Sequence, residues 1–93
     1  MSDDAIRMPE GYYQITDLSG AVTLLAGLTN YSCRALIQAE DQDVRWRDDG
    51  TAPTAAAGML LCAGESMWYC GDIRAIQFIE VAASAKLNVS FYK

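Results

Sequence analysis

Short apolar runs cut by Gly, Asp and Pro decide what this chain can become, and they are densest between Val44 and Ile79. That stretch opens with the alternating run Val44-Arg45-Trp46-Arg47. The polar turn from Asp48 to Thr54 follows, then the small residues Ala55 to Gly58 and the apolar run Met59 to Cys62. Ala63-Gly64-Glu65 interrupts that run before Ser66 to Cys70, and Gly71-Asp72 interrupts it again before Ile73 to Ile79. Runs of this length, bounded by turn formers, are the pattern of sequential β-strands. Nothing in the stretch has the spacing of an active site.

The flanking sequence extends the pattern. Tyr12 to Thr16 and Ala21 to Leu25 read as short strands, separated by a turn at Asp17 to Gly20 and followed by a loop from Ala26 to Asn30. In Tyr31 to Ala39 the side chains of Tyr31, Cys33, Ala35 and Ile37 fall on one face, which the alternation turns inward. The acidic loop Glu40 to Asp43 requires solvent. Met59–Cys62 and Met67–Cys70 are placed to form a hairpin about Ala63 to Ser66. Asp72 to Val81 is apolar on two faces, which implies burial on both, with a helical turn near Ile73 to Ile76 as the other reading. After a loop at Ala82 to Ala85, Lys86 to Tyr92 turns Leu87, Val89 and Phe91 inward. The expectation is all-β: a single small β-sandwich or jelly-roll-like domain of about seven or eight short strands, residues 12–93, preceded by an extended N-terminal arm, residues 1–11.

A chain of 93 residues makes one domain. At this size only about 60–65% of the unfolded surface is buried on folding, so the core is marginal. Domains of this kind commonly gain stability from further copies or from a partner surface, and an apolar fraction of 52% is compatible with either that or a well-filled sandwich. The net charge of −5 and the lack of any Lys/Arg cluster argue against nucleic acid as a partner. The acidic start Met1-Ser2-Asp3-Asp4 is not that of a secretion signal, and no apolar run approaches membrane-span length, so no membrane partner is expected. Cys33, Cys62 and Cys70 are odd in number and lack metal-ligand spacing. They read as small buried hydrophobes, with a Cys62–Cys70 bridge as the alternative.

Catalytic chemistry finds little footing. The sequence contains no histidine, which removes the usual general base, the Ser/His and Cys/His pairs and most zinc sites. The acids Glu40, Asp41, Asp43, Asp48 and Asp49 fall in expected loops, Gly58, Gly64 and Gly71 punctuate strands, and no cofactor is implied. In the turn after Trp46, Arg47 is placed to pair with Asp48 and Asp49, and Gly50 to supply a positive φ.

The segments VRWRDDGTAPTAAAGM, LLCAGESMWYCGDIRAIQFI and AKLNVSFY together resemble a family of small tailed-phage virion proteins. These are β-sandwich proteins found on or near the capsid, often as head decoration (cement) proteins. The similar region runs from about Tyr31 to Tyr92, and its turn RWRDDGTAPT and the block from Ala63 to Ile79 are together unusual. The resemblance implies a non-enzymatic structural protein at the virion surface, whose partners are the major capsid protein or other virion proteins and which forms homo-oligomers. A tail, collar or head–tail joint component is the alternative in the same class, and a host-surface carbohydrate-binding module is the alternative outside it. Local pattern nominates contact residues: Ile6, Met8, Tyr12 and Tyr13 in and beside the arm, Arg45, Arg47, Asp48 and Asp49 about the polar turn, and Trp68 as an aromatic contact or a core residue.

Overall fold

The computed structural model describes residues 9–28 and 33–93. Among these residues eight strands form: β1 (Pro9–Ile15), β2 (Val22–Thr23), β3 (Arg34–Glu40), β4 (Val44–Arg47), β5 (Met59–Leu61), β6 (Ser66–Tyr69), β7 (Gln77–Glu80) and β8 (Lys86–Tyr92). They build two four-stranded sheets, ordered β1-β8-β3-β6 and β2-β7-β4-β5, with every ladder antiparallel. First pairs with eighth, second with seventh, third with sixth and fourth with fifth. A long hairpin wound into two sheets gives this order, which is that of the eight-stranded jelly roll.

Alternation within strands supplies the core. Ala35, Ile37 and Ala39 of β3 and Leu87, Val89 and Phe91 of β8 are fully buried and face Val44 and Phe78 from the other sheet. Leu18, Leu24 and Ile76 close the sandwich from its connections, also without exposure. Burying a side chain of this size stabilises by about 1.5–3 kcal/mol, which is what a small sandwich has to work with.

Several local expectations are corrected. Pro9 to Gly11 belong to β1 rather than to an arm, because Pro9 pairs with Tyr92 and Gly11 with Phe91 across a bulge. Ile6 and Met8 lie outside the described residues. The strand expected at Ala21 to Leu25 shrinks to Val22–Thr23, and a 3-10 turn, Leu25–Gly27, follows. Glu40 ends β3 instead of opening the loop.

The expected hairpin of Met59–Cys62 with Met67–Cys70 does not form. β5 pairs with β4 in one sheet, and β6 pairs with β3 in the other. The turn between them explains the crossing. Glu65 N–H bonds Cys62 O, Cys62 N–H bonds Glu65 Oε1, and the turn docks on β3 through Gly64 N–H to Ala39 O (2.7 Å) and Ala39 N–H to Glu65 O (3.1 Å). Gly64 at φ +86 supplies the left-handed backbone this requires. The Asp43 carboxylate accepts from Ala63 N–H at 2.8 Å and fastens the same corner.

Of the two readings of residues 72–81, the helical turn is the one that forms at its start. Ala75 and Ile76 N–H both reach Asp72 O, while the Asp72 side chain accepts from Arg74 N–H. An aspartate capping its own turn in this way competes with a strand ladder, so β7 begins only at Gln77. Ile73, Ile76 and Phe78 are buried together, and Ile79 is half-buried on the outer face beside Arg45.

All three cysteines are free. The buried reading is corrected: Cys33 and Cys70 are exposed and Cys62 is intermediate. Each sits one residue beyond a strand, where the chain leaves the sandwich.

Candidate functional site

The polar turn after β4 is built as expected, and more firmly. Arg47 Nε donates to Asp49 Oδ1 at 3.0 Å and Arg47 Nη2 donates to Asp49 Oδ2, a two-point ion pair within the turn. That contact holds the Asp49 carboxyl below the usual carboxylate range and raises the guanidinium. Gly50 adopts φ +87, the positive value the turn calls for. Asp48 takes a different partner: its Oδ2 accepts from Tyr69 Oη–H at 2.7 Å. Burial, reinforced by Asp48, pushes the Tyr69 phenol up to about 12.

Arg45 points away from the core, and two of its guanidinium nitrogens bond within the protein. Its Nε donates to Ala55 O at 3.1 Å and its Nη1 to Gly58 O at 2.9 Å. These bonds pin the loop between β4 and β5, and Pro53 is buried beneath it. Gly58, at φ +140, is closely fitted: a Cβ there would lie 3.2 Å from Arg45 Cβ, Pro53 Cβ and Trp46 O, and the backbone conformation is itself one that side-chain-bearing residues rarely adopt. A shallow depression of about 270 Å³ remains, lined by Arg47, Asp48, Asp49, Gly58 and Met59.

The aromatic candidates divide between core and surface. Trp46 is half-buried against the core and meets Tyr69 edge-on, with ring centroids 6.0 Å apart. Tyr13 points inward and packs over Gly27. Tyr12 and Trp68 stand on the outer face of the β1-β8-β3-β6 sheet, 65% and 44% exposed. Trp68 leans on Tyr92, with centroids 5.0 Å apart.

Ladder registers place the outer residues of that sheet in straight rows. One row runs Tyr12, Ser90, Leu36, Trp68 across all four strands. The next runs Gln14, Asn88, Gln38, Ser66. Asn88 is the hub of the second row. Its Oδ1 accepts from Tyr12 Oη–H (2.7 Å) and Gln14 Nε2 (2.8 Å), and its Nδ2 donates to Glu40 Oε1 (2.8 Å) and Gln38 Oε1 (3.3 Å). Sequence reading found Tyr12 and Trp68 but missed Gln14, Gln38 and Asn88. Alternation marks them only as outward polar residues, and their meeting depends on the β8–β3 and β8–β1 registers.

Among the described residues, no group of three His, Cys, Asp or Glu side chains is placed to hold a metal ion. No helix among them is long and apolar enough to cross a membrane. No family model, no curated protein and no solved structure matches the chain.

Proposed function

We propose that this chain is a non-enzymatic structural protein of a tailed-phage virion, acting as a capsid decoration protein. The observation that carries the reading is the eight-stranded jelly-roll order, an architecture recurrent in viral capsid and lectin domains. It coincides with the resemblance of RWRDDGTAPT and the segments after it to small virion proteins. In this role the polar turn is a preformed contact. The Arg47–Asp49 pair, the Asp48–Tyr69 bond and the Arg45-anchored loop present a surface that loses little conformational freedom on docking. Each copy contributes a modest interface to the major capsid protein, and many symmetry-related copies stabilise the shell together.

Quantitative mass spectrometry of particles purified from lysates of cells carrying the gene tests the reading. Hundreds of copies per particle fit decoration. On symmetry grounds about six or twelve copies move the protein to a tail, collar or head–tail joint. Absence from every particle overturns the virion role.

A further inference from the structure

We propose that the outer face of the β1-β8-β3-β6 sheet is a binding site for a neutral sugar unit of a glycan. This goes beyond the virion reading and rests on the chemistry of the face alone. A depression of about 230 Å³ opens there, with Tyr12, Leu36, Gln38, Ser66, Asn88 and Ser90 in its lining. Its size falls below the roughly 300–1,000 Å³ of sites for drug-sized ligands, as a site for one ring should.

One wall is aromatic, the exposed Tyr12 ring. Tyr12 on β1 and Trp68 on β6 end the same register row, three strand spacings apart, or roughly 14 Å between backbones, and Trp68 stands outside the lining of the depression. Between them lie Ser90 and Leu36, with Ser66 beside Gln38 in the next row. Hydroxymethyl side chains let a ligand come close to the sheet. The Tyr12 hydroxyl bonds Asn88 Oδ1, which holds its ring at the edge of the depression. A pyranose carries C–H groups on one side that pack against such a face.

The polar row supplies the complementary half. Planar amides and carboxylates offer donors and acceptors at the separation of neighbouring sugar hydroxyls, provided their orientation is fixed. Here it is fixed: Asn88 uses both amide ends, accepting from Tyr12 and Gln14 and donating to Gln38 and Glu40. Because Gln38 and Glu40 each accept through Oε1, the Gln38 amide nitrogen and the second Glu40 oxygen are left to other partners. An anion is disfavoured, since no Lys or Arg lines the depression. An apolar partner is disfavoured as well, because it would strip water from these amides without replacing their bonds.

The test uses the full chain and side-chain amide NMR with methyl glycosides of glucose, galactose, mannose and N-acetylglucosamine, taken to about 50 mM to cover the millimolar affinities of single-ring contacts. The expected result is saturable movement of the Asn88, Gln14 and Gln38 side-chain amides with at least one glycoside. Tyr12→Ala and Asn88→Ala should each weaken that binding at least tenfold. Leu60→Ser, on the opposite sheet, should leave it unchanged. The amide spectrum of each variant establishes that it is folded, and Asn88→Asp provides an isosteric variant should Asn88→Ala fail that check. No saturable shift with any of the four, shifts that survive Tyr12→Ala and Asn88→Asp alike, or binding confined to sialylated or phosphorylated glycans would each overturn the assignment.

Discussion

Tyr69 on the inner face of β6 donates its phenolic hydrogen to Asp48, 2.7 Å away, and so joins one sheet to the turn that follows β4 in the other. Trp46 lies edge-on against the same ring, and Gly71 crosses close to it, since a Cβ on Gly71 would sit 2.3 Å from the Tyr69 hydroxyl. The polar turn and the core therefore share a residue. Tyr69→Phe keeps the ring and loses the bond to a charged acceptor, which should cost about 2 kcal/mol. The pH dependence has a definite sign. The folded phenol ionises near 12 against 10.0 ordinarily. This contribution is fully present below the unfolded value and is lost as pH rises through the folded one. Urea midpoints taken from about pH 9 to about pH 12 should fall more steeply for the natural protein than for Tyr69→Phe.

Thiol reactivity should divide the cysteines. Cys33 and Cys70 are exposed, and the Glu65 carboxylate raises the Cys62 thiol above its usual range. Because the thiolate is the reactive form, iodoacetamide should modify Cys33 and Cys70 first and Cys62 last. Peptide mass spectrometry over a time course gives the order, and equal rates at all three would contradict this geometry.

Gly27 ends the 3-10 turn directly over Tyr13, and an added Cβ would lie 2.6 Å from Tyr13 Cβ and Cγ. Since Tyr13 is packed against the core, it cannot simply swing away. Gly27→Ala should destabilise by about 1–3 kcal/mol, the usual range for overpacking. Thermal unfolding followed by circular dichroism provides the measurement.

Arg47→Ala should return the Asp49 carboxyl to the ordinary range, because the bond from Arg47 is the chief cause of its depression. The stabilisation that goes with a depressed carboxylate is present above its unfolded value and fades as pH falls through the folded one. Carboxyl-detected NMR titration of the two proteins should show the Asp49 curve move to higher pH in the variant.

Where a strand carried its own alternation, its inner face was legible in the residues. Leu87, Val89 and Phe91 are all buried, as are Ala35 and Ile37. The Arg47–Asp49 turn was legible too, because donor, acceptor and Gly50 lie within a few residues of one another. What escaped was non-local. Met59–Leu61 and Ser66–Tyr69 look like two arms of a hairpin, and only the docking of Gly64 and Glu65 on Ala39 sends them to different sheets. The cysteines read as buried because residue type says nothing of a position one step past a strand end. The row Gln14, Asn88, Gln38 draws on three strands spread over most of the chain, and no local pattern announces it.

The winding also sets an order of events. β8 lies between β1 and β3, and it follows the other seven described strands in the chain. As the chain emerges from the ribosome, β1 has no hydrogen-bonding neighbour and β3 lacks one of its two until Lys86 to Tyr92 is released. A product stopped short of Lys86 would carry two strands with bare amide edges, the template on which chains aggregate. Release of Lys86 to Tyr92, rather than gradual growth, is what closes the sandwich.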